Sequence, residues 1–118
     1  MSRFLMALAL SCAVAAPAVA RQAENWVALG ANDAGVQGWY EASAIVRDGN
    51  YRRARLRVQP ANAPQPNENW VRVDCSQYAV QFLDGERLET AAPISEWSMV
   101  DPRSFGGILR DGICSRTP

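Results

Sequence analysis

Within residues 51–59, with the sequence YRRARLRVQ, arginines and apolar residues alternate from Arg53 to Val58. The apolar members fall on one side of an extended chain: Ala54, Leu56 and Val58. The arginines between them fall on the other side: Arg53, Arg55 and Arg57. A period of two is typical of a β-strand with one buried face. We therefore expect a sheet with an apolar face in the core and an arginine-bearing face opposite.

The same period recurs along most of the chain. It predicts further strands at 25–30, at 38–46 with a break near Ala42-Ser43, and at 69–75, 77–83 and 87–91. Residues 95–100 are predicted to form a short strand or an extended segment. Residues 47–50 and 84–86 each contain an Asp-Gly pair, which favours a tight hairpin turn. Segment 60–68 holds three of the seven prolines and is predicted to be a loop, because proline cannot donate to a sheet ladder.

The C-terminal part changes from a strand pattern to a helical one. Asp101 is a candidate helix cap with Pro102 at the first helical position, and Gly112 is a candidate stop. The apolar residues between them have helical spacing: Phe105, Ile108 and Leu109. The predicted fold class is α+β, an antiparallel sheet of about six strands with a short C-terminal helix packed on it and one disulfide.

The N-terminus has the layout of a secretory signal peptide. Arg3 precedes an apolar run, and the small-residue site Ala18-Val19-Ala20 precedes polar residues. We predict cleavage after Ala20, which leaves one domain over 21–118 in the periplasm, at the cell surface or secreted, with no membrane-spanning segment. Lipid attachment at Cys12 is the alternative, but the residues before this cysteine fit a lipoprotein signal poorly.

Two cysteines remain after cleavage, Cys75 and Cys114. In an oxidising compartment they allow a single pairing, which predicts a disulfide between the end of a strand and the C-terminal helix. A redox or metal site is the alternative. It is weakly supported, since the chain has no CxxC motif and no histidine.

The composition excludes several kinds of active site. The chain has no histidine, and arginines account for all 12 of its basic residues, so imidazole and lysine chemistries are absent. Two carboxylate pairs remain as acid–base candidates, Glu86 with Glu89 and Glu96 with Asp101, but their spacing is not diagnostic. We expect no enzyme and no cofactor. The near-neutral charge also argues against a nucleic-acid partner.

The arginine stripe is the candidate ligand-binding face: Arg53, Arg55 and Arg57. With loop 60–68, it would offer forked donors to an anionic partner such as a sulfated glycan, lipopolysaccharide or an acidic protein patch. The alternative is that the arginines pair with acids on the next strand, such as Asp74 or Glu41. The four tryptophans, Trp26, Trp39, Trp70 and Trp97, are expected to fill the core rather than to line a ligand groove.

Several of these residues form a pattern that resembles the surface-adhesin protein E family of bacterial envelope proteins. The pattern includes WVALG at 26–30, residues 39–56, the strand end Asp74-Cys75 and a C-terminal set: Trp97, Pro102, Ser104, Leu109 and Cys114. It covers nearly all of residues 21–118. The resemblance implies a sheet of about six antiparallel strands tied to a C-terminal helix by this disulfide. Glu41 departs from the aspartate that is common in the family.

The resemblance also implies a function. The family's namesake binds host matrix and serum proteins at the bacterial surface, so the expected partner is a host extracellular protein or an anionic envelope component. The expectation is a non-enzymatic, exported binding protein. A periplasmic inhibitor or envelope-stress module is the alternative, and the sequence indicates no oligomeric state.

Overall fold

In a computed structural model, the described part of the chain runs from residue 23 to residue 116. The predicted signal peptide, its cleavage site after Ala20 and the alternative lipid site at Cys12 lie outside these residues. No helix within residues 23–116 is long and apolar enough to cross a membrane.

In the described part of the chain, one antiparallel sheet and one α-helix make up the fold, which confirms the predicted class. The strands are β1 (Trp26–Ala31), β2 (Gln37–Glu41), β3 (Val46–Asp48), β4 (Tyr51–Gln59), β5 (Asn67–Asp74), β6 (Ala79–Asp84), β7 (Ala92–Pro93) and β8 (Ser98–Met99). The main order is β1-β2-β4-β5-β6-β7, while β3 also pairs with β4 and β8 with β6. The helix α1 (Phe105–Arg116) packs on one face.

The core lies between α1 and the apolar side of the sheet. Ala54 and Val71 are cross-strand partners on β4 and β5, and neither is exposed to solvent. The core also contains Tyr40 of β2 and two helix residues, Leu109 and Ile113. The alternation predicted for residues 51–59 is confirmed, because every second residue of β4 contributes to this face.

The helix differs from the prediction at both ends. Its first residue is Phe105, and the cap is Ser104, whose Oγ accepts a hydrogen bond from Gly107 N at 3.2 Å. Asp101 caps the turn before the helix instead, accepting from Arg103 N at 2.8 Å. Gly112 does not stop the helix but lies inside it. An ideal Cβ at this position would lie 2.8 Å from Tyr40 Oη, so the glycine allows a close approach between helix and sheet.

Two predicted strand segments contain 3-10 turns instead of continuous strand. The predicted break near Ala42-Ser43 is confirmed as a 3-10 turn, Ala42–Ala44. The strand predicted at 87–91 is wrong, because Leu88–Thr90 form another 3-10 turn. Leu88 and Ala91 are both buried, and residues three apart share a side in a helical turn but not in a strand.

The disulfide joins Cys75, just after β5, to Cys114 in the last turn of α1. Their Cα atoms are 5.7 Å apart. Next to this link, the Arg110 guanidinium donates to the carbonyl oxygen of Cys75 at 2.6 Å and to that of Asp74 at 3.1 Å. The predicted crosslink is therefore present, and charge-assisted hydrogen bonds fix the helix at the same point.

Candidate functional site: the arginine–tryptophan face

The sheet face opposite α1 carries alternate arginines and all four tryptophans, and we name it the arginine–tryptophan face. Its members are Arg53, Arg55, Arg57 and Arg72 with Trp26, Trp39, Trp70 and Trp97. The strand register pairs Arg57 with Trp39 and Arg55 with Trp70, so these side chains are neighbours on one side of the sheet.

The expectation that the tryptophans fill the core is wrong. All four are only half-buried, while the core under the helix consists of aliphatic residues and Tyr40. The reason is the alternation of side chains along a strand. Trp39 directly precedes the buried Tyr40, and Trp70 directly precedes the buried Val71, so each tryptophan points to the opposite face of the sheet. The alternation in the sequence contains this information, since neighbouring strand residues point to opposite faces.

Arg55 and Arg57 are the accessible arginines of the predicted stripe, with side chains 27% and 29% exposed. Arg55 donates to Glu24 at 2.7 Å and to Glu68 at 2.9 Å, and Arg57 donates to Glu68 at 2.8 Å. Both guanidinium groups lie over the Trp26 ring, at 5.0 Å and 3.9 Å from its centroid. Ion pairs and cation–π stacking therefore hold both side chains in fixed orientations.

The hydrogen bonds from Arg55 and then Arg57 lower the pKa of the Glu68 carboxyl below its ordinary value. A hydrogen bond from Arg55 likewise lowers the pKa of Glu24. Both acids therefore stay ionised at neutral pH, and neither is suited to donate a proton as a general acid.

Arg53, the third arginine of the stripe, has a structural role. Its side chain is 13% exposed and donates to Asp48 at 3.0 Å. It also donates to the carbonyl oxygens of Leu88 at 3.1 Å and Ala91 at 2.7 Å. These bonds hold segment 88–91 over this part of the sheet. The segment covers the Arg53 side chain, which is therefore not available to a ligand.

The acids that pair with the stripe are Glu24, Asp48 and Glu68. Glu68 lies on the neighbouring strand β5, which agrees with the alternative of cross-strand ion pairs, but the two acids named as examples, Asp74 and Glu41, are not the partners. Asp74 lies at the end of β5 and accepts from Ser76 N at 2.9 Å, so it caps the following turn. Glu41 accepts from the backbone of Asn25 and Ser43 at 2.6 Å and 3.1 Å. Burial alone would raise the pKa of Glu41, but these hydrogen bonds outweigh it and lower the value.

Segment 88–97 closes one half of the face around Arg72, a residue outside the predicted stripe. The Arg72 guanidinium lies 4.8 Å from the Tyr51 ring and 5.2 Å from the Trp97 ring. It also donates to Gln81 at 2.6 Å and to Asp48 at 3.3 Å. The period of two places Arg72 on this face, but only the folded segment brings Trp97 over it.

The other half of the face is open and contains a cleft of about 270 Å³, which we name the Trp70 cleft. Its lining includes Arg55, Glu68, Asn69, Trp70, Asp84 and Ile94. Trp70 Nε1 donates to the carbonyl oxygen of Gly85 at 2.7 Å, which fixes the indole between β5 and the turn after β6. The loop predicted at 60–68 ends at residue 66, because β5 begins at Asn67. Residues 60–66 contribute nothing to this lining, whereas Glu68 of β5 does.

A second cavity, of about 210 Å³, lies on the helix side of the sheet. Apolar residues from β6, the segment before α1 and α1 itself line it, among them Phe82, Val100 and Phe105. Phe82 is 40% exposed at this groove.

The two other kinds of candidate site, a metal site and an acid–base pair, have no supporting arrangement of side chains within residues 23–116. Within residues 23–116, no group of three or more histidine, cysteine, aspartate or glutamate side chains is placed to hold a metal ion. The acid–base candidates are all exposed to solvent: Glu86, Glu89, Glu96 and Asp101.

Comparison with protein-family models, with curated proteins and with solved structures finds no match to this chain.

Proposed function

We propose that this protein is an exported, non-enzymatic binding protein of the bacterial envelope, and that the open half of the arginine–tryptophan face contacts its ligand. One observation carries the proposal. Arg55, Arg57, Trp26 and Trp70 are held in fixed orientations by ion pairs, stacking and hydrogen bonds, yet remain partly exposed. Arginine and tryptophan on a rigid support are the residue types that dominate binding energy at protein interfaces.

Export is supported by the N-terminal pattern and is compatible with the disulfide between Cys75 and Cys114. The resemblance to the surface-adhesin protein E family adds the binding of host or envelope macromolecules. Intact mass of the protein purified from a bacterial periplasm tests export directly. We expect a mature N-terminus at Arg21, and a diacylglyceryl group on Cys12 would contradict it.

The partner is a host or envelope macromolecule, and charge balance on the face bears on how it is recognised. Within residues 23–116, ion pairs join Arg53, Arg55, Arg57 and Arg72 to three acids, Glu24, Asp48 and Glu68. These three carboxylates compensate most of the positive charge of the four arginines. We expect stacking and directional hydrogen bonds to contribute more than net attraction, so binding should weaken only moderately with salt.

The test measures binding of the purified protein to three probes: cell-wall sacculi, lipopolysaccharide and host extracellular-matrix proteins. Arg55→Ala with Arg57→Ala should weaken binding by tenfold or more, that is, about 1.4 kcal/mol or more. The matched control is Arg87→Ala with Arg103→Ala, which removes the same charge from two exposed positions elsewhere. Equal losses in both double variants would show a net-charge effect and contradict a specific face.

The same experiment addresses the alternative of a periplasmic inhibitor. Inhibition of a wall hydrolase that is lost with the Arg55 and Arg57 substitutions would make that enzyme the ligand of the face. Absence of binding to every probe would contradict the proposed function.

A further inference from the structure

We infer that the Trp70 cleft is a saccharide site, with neutral acetamido sugars as its ligand class. The inference rests on the proposed function, because it names the chemistry of a ligand on the same face. Four features of the cleft lead to it: an open aromatic ring, unused polar groups, a charge that is not positive, and an apolar end.

The first feature is the ring of Trp70. Its indole nitrogen is bonded to the carbonyl oxygen of Gly85 at 2.7 Å, which fixes the ring plane. Trp26 and Trp97 are already stacked against guanidinium groups, whereas no such partner of Trp70 is found within residues 23–116. A fixed aromatic ring that lines a cleft offers a platform for the apolar C–H face of a pyranose.

The second feature is unused hydrogen-bonding capacity next to that ring. The side chains of Asn69 and Asp84 line the cleft and are exposed. Among the described residues, neither side chain has a protein hydrogen-bond partner. A sugar hydroxyl is both donor and acceptor, so it can donate a hydrogen bond to the Asp84 carboxylate. The Asn69 side-chain amide can either donate to such a hydroxyl or accept from it.

The third feature is charge. One arginine, Arg55, and two acids, Glu68 and Asp84, line the cleft. The Arg55 guanidinium is already bonded to both Glu68 and Glu24. The Asp84 carboxylate therefore leaves the cleft slightly negative, which disfavours sulfated or phosphorylated ligands here and favours a neutral one.

The fourth feature is an apolar end. Leu83 is buried at the floor and Ile94 is 63% exposed at the rim. An acetamido methyl group would remove part of this apolar surface from water, while its amide lies within the polar half of the cleft. The volume of about 270 Å³ is below the roughly 300–1,000 Å³ of drug-sized sites. It suits one sugar unit at a time, as a chain end or one residue of a polymer.

The experiment titrates the purified, exported protein with the N-acetylglucosamine trimer by calorimetry, with maltotriose and a sulfated heparin oligosaccharide as comparison probes. We expect the acetamido trimer to bind most tightly, and its affinity to change less than about twofold with salt because it carries no charge. Asn69→Ala and Asp84→Ala should each weaken it about tenfold, the usual effect of losing one directional hydrogen bond to a charged or amide group.

Both side chains are exposed and unpartnered, so these variants should fold like the wild type, which circular dichroism verifies. Asp33→Ala, at an exposed turn outside the cleft, is the matched control for Asp84→Ala and should leave the affinity unchanged. Trp70→Phe should retain part of the affinity and Trp70→Ala should lose most of it, since phenylalanine preserves a ring surface.

Failure of every neutral saccharide to bind, or binding unaffected by Asn69→Ala and Asp84→Ala, would overturn the inference. If a matrix protein or lipopolysaccharide binds through Arg55 and Arg57 while no neutral sugar does, the inference fails and the proposed function stands. If the trimer binds in the cleft but no macromolecule does, the inference stands and the proposed function fails.

Discussion

Replacing Gly112 by alanine tests how closely α1 approaches the sheet. A Cβ at this position would lie 2.8 Å from Tyr40 Oη and 2.9 Å from Tyr40 Cε1. Ordinary contacts between carbon atoms are about 3.5–4.0 Å. The Tyr40 ring is 2% exposed, and its hydroxyl oxygen accepts a hydrogen bond from Arg116 Nε at 2.7 Å. The ring therefore cannot move away without disturbing the core and this bond.

Two opposing effects set the magnitude. Helix propensity alone would make glycine to alanine stabilising by about 1 kcal/mol. Overpacking of a buried contact costs about 1–3 kcal/mol, and loss of the Tyr40–Arg116 hydrogen bond adds about 1 kcal/mol. We expect a net loss of about 1–3 kcal/mol in the free energy of unfolding. For a domain of this size, each kilocalorie corresponds to about 4–8 °C in melting temperature.

Urea unfolding followed by circular dichroism measures the effect. In a Tyr40→Leu background the aromatic ring is absent, so Gly112→Ala should there be neutral or stabilising. A positive coupling energy in this double-mutant cycle would confirm the contact. If Gly112→Ala stabilises the protein with Tyr40 in place, helix propensity dominates, and the close contact with Tyr40 does not limit the size of residue 112.

Three further predictions concern stability. Cys75→Ala should cost about 4 kcal/mol, since the chain-entropy estimate applies to a separation of 39 residues; wild-type stability unchanged by reduction would contradict this. Arg53→Gln should lower the free energy of unfolding by about 1.5–3 kcal/mol, because it breaks hydrogen bonds to Asp48 and to two carbonyl oxygens. The control Arg57→Gln, at a more exposed side chain, should lower it by less than about 1 kcal/mol. Equal losses in urea unfolding would refute a structural role for Arg53. The hydrogen bond from Arg53 lowers the pKa of Asp48 in the folded protein. The ionised Asp48 therefore stabilises the fold at a pH above its ordinary pKa of about 3.9, and this stabilisation is lost as the pH falls through the folded-state pKa. Asp48→Asn should therefore flatten the acid limb of the stability–pH curve, and an unchanged limb would count against this pairing.

Local patterns determined much of the fold. The alternation in residues 51–59 assigned Leu56 to the core and the arginines to the opposite face, as observed. The Asp48-Gly49 pair predicted the hairpin between β3 and β4, where Gly49 adopts a φ of +64° that favours glycine. These features depend on neighbouring residues in the chain, so the sequence contains the information that specifies them.

The candidate site was predictable only in part. The alternation of side chains along the strands placed Arg55 and Trp70 on the same face, but the residues that bond to them lie far away in the chain. Glu68 reaches Arg55 through the register of β4 with β5, and Gly85 reaches Trp70 through the turn after β6. Periodicity states which way a side chain points and leaves open which side chain it meets, because register and loop path are set by the packing of the whole domain.

Local sequence patterns thus specified the sheet, its two faces, the C-terminal helix and the pairing of Cys75 with Cys114. Tertiary structure decided that Arg53 lies beneath segment 88–91, that Gly112 lies against Tyr40, and that an open cleft forms beside Trp70. The physical reason is the range of the interactions. Backbone alternation and turn preferences act over a few residues, whereas ion pairs, close packing and clefts join residues that lie far apart in the chain.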